Sequence, residues 1–132
     1  MDFLIDSHAL IWYLNGDAQL SVNAHSTISN QNNRRWISPA SIWEIAIKVN
    51  LGKLNLNRPL PDIQVSLSTD GFLWLPIEFK HAIQAGNLPP HHRDPFDRML
   101  IAQALAEGMA IVTKDPGFPI YGVKTLWWKL QW

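Results

Sequence analysis

Short apolar runs alternate along this chain with segments that carry helix-start and helix-stop signals, and that alternation restricts the fold more than any other feature. The runs are Phe3-Leu4-Ile5, Trp36-Ile37, Phe72-Leu73-Trp74-Leu75 and Ala110-Ile111-Val112-Thr113. Each reads as a short strand. Between them Ser7 to Leu14 reads as a helical turn or two, and Ser21 is placed to cap a helix reaching about Asn30. The cluster Asn30-Gln31-Asn32-Asn33 is a loop. Ser38 as N-cap, Pro39 at the first helical position and Gly52 just past the end bracket another helix, with Ile42, Ile45, Ala46 and Val49 as its apolar stripe. Pro59 and Pro61 frame a loop before a helix from Asp62 to Ser68, and a helix from Glu78 to Ala85 ends at Gly86. After the irregular stretch Asn87 to Arg93, Asp94 caps a long helix with Pro95 at its start and Gly108 at its end. The tail Thr125 to Leu130 reads as a final edge strand. Strands alternating with helices imply an α/β fold: a parallel sheet with helices on its faces.

The chain has 132 residues, enough for one domain spanning 1–132 with a real core. It is 47% hydrophobic and 17% charged, the balance of a globular chain rather than a disordered one. It has no cysteine, which excludes disulfides and thiolate metal sites. Met1 to Asp6 lacks the basic and long apolar regions of a signal peptide. No apolar stretch approaches the roughly 20 residues of a membrane span. The expectation is a soluble cytoplasmic protein that engages no membrane. Net charge is zero, with 11 basic and 11 acidic residues, which argues against a broad nucleic-acid footprint but leaves room for an enzyme touching a few phosphates. Seven tryptophans favour an apolar surface meant for a partner.

Four of the acidic residues fall where strands or helices begin or end, or inside a capped helix. Asp6 closes the first apolar run, where it is equally suited to cap the following turn. Glu44 lies in the helix after Ser38, roughly opposite the apolar stripe; an exposed ion pair with Lys48 is the plain alternative, although Trp43, Ile47 and Leu51 flank it. Asp97 sits in the first turn after Asp94, and the two together resemble a capping box. Asp115 follows the last apolar run and precedes Pro116-Gly117, a turn setting. Each local explanation is adequate alone, but a single cluster outside the strand ends accounts for all four. Carboxylates gathered there repel one another unless a divalent cation neutralises them, and an all-oxygen donor set selects Mg²⁺ or Mn²⁺.

Other chemistries fit less well. The chain has neither a phosphate-binding glycine loop of the G-x-x-x-x-G-K-[ST] kind nor a dinucleotide G-x-G-x-x-G. His91 and His92 are adjacent rather than a helical turn apart, which does not suit a helical zinc pair. Ser7-His8 and Ser41 lack the surroundings of a nucleophile elbow, and because Ser7-His8 follow Asp6 the Asp-x-Asp start of one phosphatase class is absent.

The segments Leu4-Ile5-Asp6-Ser7-His8-Ala9-Leu10, Ser38-Pro39-Ala40-Ser41-Ile42-Trp43-Glu44-Ile45-Ala46-Ile47-Lys48, Gly52-Lys53-Leu54, His92-Arg93-Asp94-Pro95-Phe96-Asp97-Arg98-Met99-Leu100-Ile101-Ala102-Gln103-Ala104 and Val112-Thr113-Lys114-Asp115 resemble a PIN domain of the VapC type, the ribonuclease toxins of bacterial toxin–antitoxin pairs. The resemblance implies a PIN-like α/β/α sandwich around a short parallel sheet. It further implies Mg²⁺-dependent RNA cleavage, a small cognate antitoxin that blocks the site, and a homodimer. By the same resemblance Asp6, Glu44, Asp97 and Asp115 form the metal site, while Asp94 belongs to the family block and also suits the cap. His92, Arg93, Arg98 and Lys114 flank the acids and are candidates to hold RNA phosphates, with solvated charge as their ordinary alternative. The tryptophan-rich end, Trp127, Trp128 and Trp132, departs from the family pattern. The rival from another class is a catalytically silent interaction module on the same fold.

Overall fold

A computed structural model of the chain describes residues 1–128 together with 130 and 131. The elements in chain order are β1 (Asp2–Ile5), α1 (Ser7–Asn15), α2 (Val22–Ser29), β2 (Arg34–Ile37), α3 (Pro39–Asn50), α4 (Leu60–Thr69), β3 (Leu73–Trp74), α5 (Phe79–Asn87), α6 (Pro95–Glu107), β4 (Ala110–Val112), β5 (Thr125–Leu126) and β6 (Leu130–Gln131). The strands form one sheet in the order β3-β2-β1-β4-β5-β6. All neighbours are parallel except the last pair, where β6 returns antiparallel to β5. The single edge strand expected over the tail is therefore two short strands. Trp132 and Lys129 lie outside the described residues.

Alternation along the strands explains the layers. Phe3 and Ile5 of β1, with Ala110 and Val112 of β4, enter a core that includes Leu10, Ile28, Ile45, Ile63 and Leu67 from α1 to α4. Leu4 and Ile111 point the other way, into a second core with Leu100, Ile101, Ala104 and Phe118. A side-chain period of two puts neighbouring strand residues on opposite faces, so a sheet covered on both faces needs continuously apolar strands. Each fully buried aliphatic side chain here contributes roughly 1.5–3 kcal/mol. The expected α/β/α sandwich with a parallel sheet is what is found. Among the described residues no helix is long and apolar enough to cross a membrane.

Local signals set most boundaries. Ser21 accepts from Ala24 N and Ser38 from Ala40 N, each closing the start of its helix. Gly52 and Gly108 take left-handed backbone, at φ 71° and 68°, just past the ends of α3 and α6. Three expectations need correction. Pro61 does not stay in the loop: α4 begins at Leu60, because a proline is tolerated in the first turn where its missing N–H has no partner to lose. Gly86 does not end α5, which runs on to Asn87 with ordinary helical backbone at the glycine. The stripe on α3 is only partly buried, with Val49 exposed, while Ala40, Ser41, Glu44 and Ile45 face inward.

The chain order also fixes where a crevice opens. From β1 the chain moves outward through β2 to β3, then crosses back to β4 on the opposite flank of β1. Connections leave the carboxyl ends of β1 and β4 in opposite directions, and ligands in open α/β sheets bind at such a switch point. Ile5 pairs with Val112, and Asp6 N donates to Val112 O at 3.1 Å, so the residues following the two strands are neighbours across this opening.

Candidate active site

Asp6 is the first residue past β1 and is buried. Its Oδ1 accepts from Ala9 N at 2.7 Å, capping α1, and its Oδ2 accepts from Thr113 Oγ1 at 2.5 Å. Capping and membership of the cleft are thus compatible for this residue. Burial pushes the Asp6 carboxyl up to about 6; the hydrogen bonds from Thr113 and Ala9 oppose that rise, and the Asp115 charge adds to it.

Thr113 is the first residue past β4, and it ties the two strand ends together. Besides donating to Asp6 it accepts from Asp115 N at 3.1 Å. Asp115 then makes a tight turn, its Oδ1 accepting from Gly117 N at 2.8 Å, while its Oδ2 lies 2.9 Å from His92 Nε2. A Cβ at Gly117 would come within 3.1 Å of both the Asp115 carboxylate and the His92 ring, so a larger residue there would have to push one of them by a few tenths of an ångström. The turn setting expected for Asp115 is real, and the same turn aims one of its oxygens into the cleft.

The start of α6 separates two acids that sequence alone could not. Asp94 Oδ1 accepts from Phe96 N at 2.8 Å and Asp97 N at 3.2 Å, so Asp94 is the N-cap. The reciprocal half of a capping box is absent: the backbone N of Asp94 donates to His92 Nδ1 instead. Asp97 is thereby released from the helix end, and its Oδ2 lies 3.2 Å from His92 Nε2. The Asp97 carboxyl is pushed up to about 7, first by burial and then by the charge of Asp94, with Asp6 and Glu44 adding to it and His92 opposing it.

Glu44 is buried on the inner face of α3, not exposed as a surface ion pair would have it. Its Oε2 does meet Lys48 at 3.2 Å, but its Oε1 is buried with no partner. A buried, unsatisfied carboxylate oxygen costs free energy unless something outside the chain completes it.

Asp6, Asp97 and Asp115 line one open cleft of about 380 Å³ with His8, Trp12, Lys114 and Pro116. Glu44 is not among its lining residues, although its charge reaches Asp97. The phosphate candidates divide. Lys114 is exposed at the rim of the cleft, and Arg93 is exposed with no polar partner among the described residues. Arg98 turns away: its guanidinium donates to the carbonyls of Ala85, Leu88, Pro89 and His92 at 2.7–3.1 Å. That set of bonds holds the loop between α5 and α6 and leaves Arg98 no free fork for a phosphate. His92 lies between two acids rather than facing open solvent. Sequence reasoning missed Thr113, His8 and Trp12; a hydroxyl two residues before Asp115, just past a strand, was the only available signal for Thr113.

The donor set suits a hard divalent cation. It consists of carboxylate oxygens, with one imidazole at the margin, and the ligand atoms of His92, Asp97 and Asp115 lie within 4.8 Å of one another. Glu44 Oε1 has no partner among the described residues, and burial followed by neighbouring acids raises Asp6 to about 6 and Asp97 to about 7, so added positive charge would be favoured there.

Comparison with solved structures gives the same fold. VapBC2 from Rickettsia felis bound to a promoter DNA fragment is similar at a TM-score of 0.71 and 13% identity, covering 99% of this chain and 100% of that one. DNA-bound VapBC from Salmonella typhimurium is similar at 0.68 and 16%, covering 96% and 97%. A toxin–antitoxin complex from Klebsiella pneumoniae is similar at 0.57 and 16%, covering 86% and 92%. No curated protein sequence matches the chain. The model of one family, described as the PIN domain, matches residues 3–124, and on that match the chain belongs to the PIN domain family.

Proposed function

We propose that this PIN domain is a Mg²⁺-dependent endoribonuclease, the toxin of a toxin–antitoxin pair, and that it hydrolyses RNA phosphodiesters in the cleft at the sheet switch point. The observation that carries the reading is that Asp6, Asp97 and Asp115, from three separate segments, line one cleft while Glu44 Oε1 stays buried without a partner. Membership of the PIN domain family and likeness to VapBC and to a toxin–antitoxin complex support the reading.

Asp6, Asp97 and Asp115 would hold the cation, with Glu44 beside them; Mn²⁺ is an equally fitting ion for these donors. When bound, the ion supplies positive charge to a scissile phosphate and acidifies a coordinated water. Asp6 is kept in place for that task by Ala9 N and Thr113 Oγ1, so its carboxylate needs no reorientation. Glu44 would serve as base for that water only where a water reaches its buried Oε1 beside Asp97; among the described residues that oxygen has no competing donor. Lys114 at the rim and Arg93 on the adjoining loop are the cations left to meet RNA phosphates.

A protein partner is supported by a separate surface. An apolar groove of about 560 Å³ runs between α3 and α4, lined by Ile42, Trp43, Leu60, Leu67 and Trp74 among others. With zero net charge and Trp43 65% exposed, the chain suits a small antitoxin better than a broad RNA surface. An antitoxin that inserts an arginine among the acids would inhibit by supplying the charge otherwise supplied by metal.

The test is cleavage of total RNA by purified protein with Mg²⁺ and with chelator, comparing wild type with Asp6→Asn. Cleavage that needs both the ion and Asp6 supports the proposal. A wild-type chain that leaves RNA intact at saturating Mg²⁺ and Mn²⁺ overturns it in favour of a silent interaction module.

A further inference from the structure

His92 is fixed at every polar atom it has. Its backbone N donates to Tyr121 Oη at 2.7 Å, and its carbonyl accepts from Arg98 Nη1 at 3.1 Å. Its Nδ1 accepts from Asp94 N at 3.3 Å, which puts the ring proton of the neutral imidazole on Nε2. That Nε2–H donates to Asp115 Oδ2 at 2.9 Å and stands 3.2 Å from Asp97 Oδ2. The ring is only 17% exposed at its side chain and packs edge-on against Phe118, with centroids 5.7 Å apart. The supporting loop is itself held from two sides. Arg98 binds the carbonyls of Ala85, Leu88 and Pro89 as well as His92, and Tyr121 Oη donates to Pro89 O at 2.7 Å. The seven residues 88–94 between α5 and α6 are irregular chain of the kind that is usually mobile, and here their anchoring converges on one imidazole.

We propose that His92 is a positioning residue that bridges Asp97 of α6 and Asp115 of the β4 exit at its Nε2, whose N–H donates to Asp115 and which stands against Asp97, holding the two carboxylates at the spacing a cation requires. The inference rests on the metal-site reading above but concerns a residue outside the four acids. Among the described residues nothing but His92 links Asp97 to Asp115: the Asp97 carboxylate meets no other side-chain or backbone donor, and Asp115 is otherwise tied only to its own turn and to Thr113. Each carboxylate retains lone pairs for an ion, since contact with the single Nε2 takes up at most one site on one oxygen of each. Partners that orient ligating carboxylates are worth about 10–100-fold in metal affinity when removed. His92 would thus act on the ion only through the acids, and Tyr121 and Arg98 only through His92.

The experiment is titration of the full, metal-free chain with Mn²⁺ alone, free ion being counted by electron paramagnetic resonance, so that no RNA cleavage enters the readout. His92→Phe keeps the ring against Phe118 and removes the N–H; it should weaken Mn²⁺ binding by about 10–100-fold. His92→Gln places an amide N–H near the same point and should restore most of the loss. Tyr121→Phe deletes only the hydroxyl that holds the His92 backbone; it should weaken binding in the same direction by a smaller factor, and it carries the test should His92→Phe not fold. Wild-type affinity in His92→Phe or in Tyr121→Phe overturns the inference while leaving the metal site standing. Equal weakening in His92→Phe and His92→Gln overturns the N–H as the cause. A wild-type chain that takes up no Mn²⁺ overturns the metal site and this inference together.

Discussion

Two sets of side chains in this protein, Glu78–His81–Glu107 and His92–Asp97–Asp115, each bring three donor atoms within 4.8 Å of one another. Their residue types are nearly the same, and ligand geometry does not separate them. Their charge balance does. In the first set His81 is buried with Nδ1 accepting from Glu78 N at 2.9 Å, so its Nε2–H is left to donate to Glu107 Oε2 at 3.0 Å. Lys80 Nζ lies 3.0 Å from Glu107 and 3.6 Å from Glu78. The hydrogen bond from His81, then that from Lys80, holds the Glu107 carboxyl below its ordinary value, and Glu107 in turn raises Lys80. Every charge there has a mate from the chain. Around the second set the opposite holds: Asp6 and Asp97 are pushed up to about 6 and about 7 by burial and by neighbouring acids. One set is a finished clasp between α5 and α6. The other is an arrangement that remains short of positive charge.

The largest expected effect breaks that comparison if it fails. Asp6→Asn and Asp97→Asn should each lower RNA cleavage by at least about 100-fold, since even the outer partners of a metal site are worth about 10–100-fold. Glu107→Gln should leave cleavage unchanged. Stability should move the other way at the cleft. Removing one of several crowded carboxylates relieves repulsion, so metal-free Asp97→Asn should melt at the wild-type temperature or above it. Asp94→Ala, which deletes the cap of α6, should cost about 0.5–2 kcal/mol. A large stability loss in Asp97→Asn would mean that it, not Asp94, secures the helix.

The clasp should fail through stability alone. His81→Ala empties a fully buried position and strands the Glu78 N–H, so about 2–3 kcal/mol should be lost in urea unfolding. Cleavage per folded molecule should not change. A change in Mn²⁺ affinity in this variant would show that the two sets communicate across α6, and the contrast drawn between them would need revision.

The two sets also predict opposite responses to pH. Asp6 and Asp97 hold a proton more tightly folded than unfolded. Their contribution to the metal-free fold is therefore fully present below their ordinary value of 3.8 and is lost as pH rises through about 6 and about 7. Glu107 contributes above its ordinary value of 4.5 and loses that contribution as pH falls through its lowered folded value. Metal-free melting temperature should accordingly decline between about pH 4 and pH 7, more steeply in wild type than in Asp97→Asn. Saturating Mg²⁺ should remove most of the decline, because the ion binds the ionised carboxylates and releases their protons. Equal slopes in the two chains would locate the titrating group elsewhere.

These differences mark what was legible in the sequence. Asp6 could be singled out because an acid directly after a buried strand has few local reasons to be there, and the parallel sheet followed from apolar runs spaced by capped helices. The clasp was invisible, because His81 and Glu107 are 26 residues apart and meet only through the packing of α5 on α6. Thr113 reaches Asp6 across 107 residues for the same reason. For Glu44 the plain alternative of an exposed pair with Lys48 has the partner right and the exposure wrong, since apolar periodicity marks a core face and cannot tell that a polar face is buried. Arg98 shows the limit in the other direction. Its place next to Asp97 suggested phosphate, yet one helical turn directs it back to four carbonyls.

That last point yields the smallest and most selective expectation, since Lys114, Arg93 and Arg98 all sit beside the acids in sequence but differ in what holds them. RNA affinity can be read without turnover on an Asp6→Asn background, by fluorescence anisotropy of a labelled single strand over a range of salt. Lys114→Ala should weaken binding a few-fold and flatten the slope of log affinity against log salt by about 0.7, the signature of one lost contact to a single-strand phosphate. Arg93→Ala should do the same to an equal or lesser degree. Arg98→Ala should leave the slope alone. It strips four carbonyls of their donor and frees the loop that carries His92, so its effect should appear in unfolding and in Mn²⁺ affinity instead. A flattened slope in Arg98→Ala with unchanged stability would return it to the RNA surface and leave the loop without its main anchor.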